Sequence, residues 1–388
     1  MSYNFNNKYI NFSINCFLKI SIILFSFAPW LALQSDVARF FSKLLYGLWF
    51  VSFLLVLFFG EFSKHRLKGN IFVFVLIIIF SILGIFRAGT AAYFSQFLNL
   101  IVPICILIVF SCINNSLISK REMQKIFFLL FICCFFNCVY AVYLVKTFDG
   151  DFSKLYISRA KFQPYNYLRN GKLRAFGFLN SAVIFSNYLS LVLVCLFFTL
   201  KKKKYFVIRF LFFSFVLYSL FLSGSRTNIF ALFVAFFLLL AFNKHRFFCF
   251  LASIFSIILI LLFVTLTSGL DLSALGRIKQ YADAFMLFMR NPIGYGIGYA
   301  SFPSGVISFD CAILVVLVNF GVIGFCYFLF CIYKAIKKIR INKDAAGFAC
   351  DGIVLVLFLL SAFVNVIHLG FLSLTIIVYI LNQKMRDL

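Results

Sequence analysis

The chain has 388 residues, of which 64% are hydrophobic and 12% charged. A soluble domain is about 45–50% apolar and about 25% charged, so this composition excludes one and reads as a polytopic membrane protein. The formal charge of +25 would point to nucleic acid in a soluble chain. Here most of the Lys and Arg are topogenic, and no nucleic-acid partner is expected.

A span needs about 20 apolar residues. Twelve runs are read as spans: 17–34, 42–60, 70–88, 95–113, 125–146, 179–199, 205–222, 227–243, 247–268, 310–333, 350–366 and 368–383. The first is long and has no small-residue cleavage site, so it is expected to be retained as a span. The fold class expected is all-α, a single integral membrane domain over 1–388. The cysteines lie almost entirely inside apolar runs (Cys105, Cys133, Cys134, Cys195, Cys249, Cys326). They behave as small hydrophobes, and neither a disulfide frame nor a metal site is expected.

Charge tests the topology. With a cytoplasmic N-terminus, the inner segments and span ends hold 22 Lys and Arg, and the short outer turns hold 4: Arg39, Lys43, Arg87 and Arg226. That asymmetry puts both termini inside. Two long outer segments, 147–178 and 269–309, hold most of the rest. Long loops translocate largely regardless of charge. The loop at 147–178 is strongly basic, with only Asp149 and Asp151 as acids. Lipid headgroups and an anionic substrate such as a lipid pyrophosphate would each answer that charge.

The sequence carries no G-x-x-x-x-G-K-[ST] loop, so ATP-driven transport by this chain is not expected. It shows no internal repeat and no charged relay within the spans, which counts against ion-coupled transport.

Four places carry chemistry. Arg174-Ala-Phe-Gly177-Phe-Leu-Asn180-Ser181 opens the sixth span. Arg174 at its mouth is read as a site residue. Asn187, seven residues after Asn180, is read as a helix-packing hydrogen bond. Ser223-Gly224-Ser225-Arg226-Thr227 is a tight turn between two spans. Its arginine is against the topological trend, and guanidinium pairs bidentately with phosphate.

Between Asp271 and Met289, apolar residues recur at helical spacing: Leu272, Leu275, Ile278, Ala282, Phe285, Met289. Ser273, Arg277, Gln280 and Asp283 form the other face. This is the pattern of an amphipathic helix on a membrane surface. Arg290 at its end suits the helix dipole, and Asn291-Pro292 stops it. Gly294, Gly296 and Gly298 follow in a loop whose backbone can approach a ligand. Asp310 then stands at the start of a span. It serves equally as a general base for a sugar hydroxyl and as a helix N-cap.

In this order, R-x-x-G-x-x-N-S (Arg174 to Ser181), S-G-S-R-T (Ser223 to Thr227), G-R with A-F-M-L-F-M-R-N-P-I-G-Y-G-I-G (Gly276 to Gly298) and D-x8-N-F-G-V-I-G (Asp310 to Gly324) resemble the O-antigen polymerase and ligase superfamily of bacterial inner-membrane proteins. The resemblance covers the middle and last third of the chain. It implies a GT-C-like membrane glycosyltransferase of about 12 spans that uses no metal, nucleotide or other cofactor. Its substrate would be an undecaprenyl-pyrophosphate-linked glycan. A flippase and a chain-length regulator of the same pathway would be its partners, beside membrane lipids. Arg226 and Arg277 would bind the pyrophosphate, with Asp310 as the third catalytic candidate. Arg174, Asn180, Arg290, Asn291, Gly294 and Gly296 are the substrate-binding candidates.

Ligases of this superfamily typically carry a histidine where Asp310 stands, which favours a polymerase that joins repeat units at the periplasmic face. Transfer of glycan to lipid A-core is the alternative. A lipid-linked oligosaccharide flippase is the alternative from another class, and the asymmetric loops and absent repeats argue against it.

Overall fold

A computed structural model of the chain describes residues 2–59, 64–112, 119–155, 167–169, 171–179, 181–199, 206–241, 272–300, 307, 309–339, 352–354, 356–357, 360–361 and 373–381. The described chain is mostly helical. Eight helices fall on the first eight expected spans: α1 (Ser2–Gln34), α2 (Asp36–Phe59), α3 (Lys64–Ala88), α4 (Thr90–Cys112), α5 (Lys120–Thr147), α6 (Ala182–Thr199), α7 (Phe206–Leu222) and α8 (Arg226–Ala241). Two more follow, α9 (Leu272–Arg290) and α10 (Ala312–Ile339). The ninth expected span, 247–268, lies outside the described residues, and the last two are described only in part.

Among the described residues, four helical stretches are long and apolar enough to cross a membrane: Asn11–Gln34, Asp36–Phe58, Arg121–Thr147 and Ala312–Phe330. Shorter apolar helices include Val75–Ala88, Ala182–Leu196, Phe206–Leu222 and Arg226–Phe236.

Local signals account for several boundaries. Ser35 Oγ accepts from Ala38 N at 3.1 Å and caps α2. Ser119 Oγ accepts from Glu122 N at 3.3 Å and caps α5, the first half of an S-x-x-E capping box. α9 ends at Arg290, directly before Asn291-Pro292.

The chain forms two compact units. One comprises Met1–Lys64, Val109–Ile229 and Ser373–Leu388; the other comprises His65–Ile108 and Phe230–Leu372. In the first, α1 and α2 pair through an aromatic core. Phe17 stacks on Trp49 and Phe110 and tilts against Phe53, and Trp49 Nε1 donates to Ser21 Oγ at 2.9 Å. The basic loop after α5 is anchored in this unit. It carries a two-residue antiparallel hairpin, β1 (Leu168–Arg169) and β2 (Lys172–Leu173). Leu155, Tyr167, Leu173 and Phe176 are buried with Leu144 and Ala182, against Trp30 and Leu33 of α1. Phe178 stacks on Tyr140 at 4.4 Å.

The second unit is built on a broken helix. α10 leaves helical geometry at Gly321, where φ is +57° and ψ is −152°. The loop after α9 fills that break, and the candidate site lies around it.

Candidate active site

The loop Asn291–Ala300 takes over the hydrogen bonds that α10 loses. In an unbroken helix, the carbonyls of Val318 and Asn319 would accept from the N–H groups four residues on. Here Tyr295 N donates to Val318 O at 3.0 Å, and Gly296 N donates to Asn319 O at 2.9 Å. Val322 N turns instead to Pro292 O at 2.9 Å. On its other side the loop meets α3, where Ile297 N donates to Phe80 O at 2.9 Å. Phe80 precedes the last residue of α3 by eight positions, about 12 Å of helix at 1.5 Å per residue. The loop therefore packs well inside the end of α3, and its backbone groups there are paired with those of α3 and α10.

The glycines admit this packing. Gly294 has φ +103°, and a Cβ there would lie 2.6 Å from Asn319 O and 2.7 Å from Gly321 N. A Cβ on Gly321 would collide with Pro292 O and Ile293, and one on Gly296 with the Gly84 backbone. What Gly294 and Gly296 approach most closely is thus the backbone of α10 and α3.

Side chains complete the frame. Asn319, fully buried in an otherwise apolar stretch, donates to Ala300 O and accepts from Ala300 N. Asn291 Nδ2 donates to Gly294 O at 2.8 Å, and Arg87 Nη1 donates to the same carbonyl at 3.2 Å. The Arg87 guanidinium also lies 5.7 Å from the centre of the Tyr295 ring, which stacks on Tyr299 at 4.3 Å. Arg290 is exposed.

Helix α9 is amphipathic in the sense its sequence implies. Its outward face carries Phe285 at 58% exposure and Met289 at 62%, continued by Ile293 at 65%. Ala284 is fully buried on the opposite face, and Gln280 and Asp283 are half-buried. Gln280 meets Asp310 there. Gln280 Nε2 donates to Asp310 Oδ2 at 3.1 Å, and Asp310 N donates to Gln280 Oε1 at 2.9 Å. Arg277 lies in α9 three residues before Gln280, about one turn away on neighbouring helix faces. Its side chain lies outside the described residues.

Asp310 is not the first cap of α10. The Cys311 carbonyl accepts from Leu314 N at 3.2 Å and Val315 N at 3.3 Å, which puts the cap position at Cys311. Among the described residues, Asp310 Oδ1 has no hydrogen-bond partner.

The remaining candidates lie in the first unit. Arg174 Nε donates to Ser223 O at 2.8 Å, and Ala175 N donates to Leu222 O at 3.0 Å. The arginine therefore sits on the C-terminal end of α7, where a cation suits the dipole. Arg226 begins α8, half-buried, with no hydrogen bond or ion pair among the described residues. Asn180 lies outside the described residues. Asn187 makes a packing bond: it accepts from Asn228 Nδ2 at 2.6 Å. Asn228 also meets Ser225 Oγ and Ser190 Oγ. Gly177 packs on α5, where a Cβ would lie 2.9 Å from Asn137 Oδ1. That oxygen accepts from Phe178 N.

The structure thus joins Asp310 to Gln280 on α9 and Asn291 to Gly294 within the loop, and it places Arg174 and Arg226 in the other unit. Gln280, Asn319 and Arg87 are the residues to which sequence reasoning gave no site role. Asn319 carried a signal of the kind that singled out Asn187, a lone amide in an apolar run. Gln280 stood on the polar face of α9 without a partner to mark it.

No family model matches the chain, and no curated protein matches it.

Proposed function

We propose that the chain is a membrane glycosyltransferase that polymerises undecaprenyl-pyrophosphate-linked oligosaccharide repeat units at the outer face of a bacterial inner membrane. One observation carries this reading most: α9 turns its apolar side outward and its polar side onto Asp310. A carboxylate is thereby held at the mouth of a helix, beside the helix that carries Arg277. The four sequence motifs and their order add to it. The reading includes a bundle of about twelve spans with both termini cytoplasmic.

In this account Asp310 accepts the proton of the acceptor hydroxyl. The hydroxyl oxygen bonds to the anomeric carbon of the growing chain. The bond from that carbon to pyrophosphate breaks, and its electron pair leaves with the lipid pyrophosphate. Arg277 supports the charge that develops there, the kind of electrostatic stabilisation that is usually the largest catalytic term. Arg226 is assigned the same task by the resemblance.

The test is reconstitution in liposomes with purified lipid-linked repeat units. Wild type should build a ladder of products. Asp310→Asn should slow it by about 10²–10⁴-fold, the usual worth of a general base. A wild-type protein that leaves single units unjoined would refute the reading.

A further inference from the structure

We infer that Gln280 is a positioning residue that sets the Asp310 carboxylate for proton abstraction; this deepens the proposed function and rests on it. Gln280 holds Asp310 at two points, the backbone N–H and Oδ2. A two-point clamp fixes both the place of the residue and the plane of its carboxyl group. One oxygen is bound, and Oδ1 has no partner among the described residues. A base needs that division, with one oxygen for orientation and one for the proton.

The chemistry of the clamp matters as much as its geometry. Lys or Arg in the place of Gln280 would pair with the carboxylate and lower its basicity. A neutral amide orients the group without neutralising it. The second use of Asp310, capping α10, is taken by Cys311. The clamp also ties the start of α10 to α9, the helix of Arg277. Gln280 therefore sets the distance between the base and the site of charge development.

The charged and titratable groups on the two elements that meet here are few. α9 carries Arg277, Lys279, Tyr281, Asp283 and Arg290, of which Lys279, Tyr281 and Arg290 are exposed and Asp283 is half-buried. The start of α10 carries the buried Cys311 thiol. Asp283, the carboxylate of α9, lies one turn beyond Gln280.

The test uses the full-length protein in liposomes. Gln280→Ala should lower kcat by about 10²-fold, the scale of a misplaced catalytic group, with KM for the lipid-linked unit unchanged. Gln280→Asn should recover part of the loss. Gln280→Glu is nearly isosteric and puts a second carboxylate on Oδ2. The two groups would then share a proton, and the acidic limb of the pH–rate profile should move up by at least about one pH unit. A residue that served folding alone would not move that limb.

Carbodiimide labelling of Asp310, mapped by mass spectrometry against pH, reads the same carboxyl without turnover. It should show the same upward shift in Gln280→Glu. A limb and a labelling curve that both stay at their wild-type positions would overturn the inference, as would wild-type kcat in Gln280→Ala. If wild type joins no repeat units, the proposed function fails by itself, and the labelling curve still decides whether Gln280 governs Asp310.

Discussion

Asn319 and Ala300 are joined by two hydrogen bonds of 2.8 Å, one in each direction, across nineteen residues of chain. The amide copies what a β-strand neighbour would offer, and it does so from inside an apolar helix. Asn319→Leu would remove both partners and leave two buried backbone groups unpaired. Each such group costs about 1–3 kcal/mol. Thermal unfolding in detergent should register a loss of about 2–6 kcal/mol, and retention of wild-type stability would show that the pair does not hold the loop.

The glycines of the loop should not tolerate alanine. At Gly294 and Gly321 both the positive φ and the neighbouring backbone oppose a Cβ. Gly171 gives the comparison, with φ +74° and nothing within 4 Å of a built Cβ. Gly171→Ala should cost only the conformational term, about 1–2 kcal/mol. Gly321→Ala should cost clearly more and reduce the yield of folded protein by size-exclusion chromatography. Equal behaviour of the two variants would contradict the close packing of the loop on α10.

These positions show what the sequence could and could not convey. The period of α9, its stop at Asn291-Pro292 and the outward direction of Phe285 and Met289 are local properties, and they are legible in order along the chain. The partners of the glycine loop are not. Gly296 meets Gly84 more than two hundred residues away, and no local pattern announces that. The loop reads as backbone open to a ligand, whereas the space its missing side chains leave is filled by two helices. Asn187 reads correctly as a packing amide, but its partner Asn228 lies forty-one residues on and has no spacing signature. Arg174 reads as a cation at the mouth of a span, and the structure adds the Ser223 carbonyl it holds.

The buried polar network of the first unit should behave as a unit. Asn228 bonds Asn187, Ser190 and Ser225, all of them buried. Interhelical hydrogen bonds in membranes are worth about 0.6 kcal/mol on average and up to about 1.7 kcal/mol. A double-mutant cycle of Asn187→Ala and Asn228→Ala should show coupling of about that size. Strict additivity of the two losses would mean the amides act separately.

The basic loop should loosen at high pH. Burial pushes the Tyr167 phenol up to about 12, from the usual value near 10. The folded loop therefore favours the neutral ring. Its contribution is fully present below pH 10 and is lost as pH rises toward 12. Limited proteolysis of the 147–178 segment should accelerate across that window in wild type. Tyr167→Phe should show a smaller change, and an identical pH response in the variant would remove Tyr167 as the cause.

The most direct test of the central claim is the lipopolysaccharide ladder of a strain that lacks the gene, complemented with wild type or Arg277→Ala. The account predicts core carrying a single repeat unit in the deletion, a full ladder with wild type, and no ladder with Arg277→Ala expressed at wild-type level. A bare core with long polymer still on undecaprenyl pyrophosphate would contradict it and identify a ligase. Single units trapped on the cytoplasmic leaflet would contradict it in favour of a flippase.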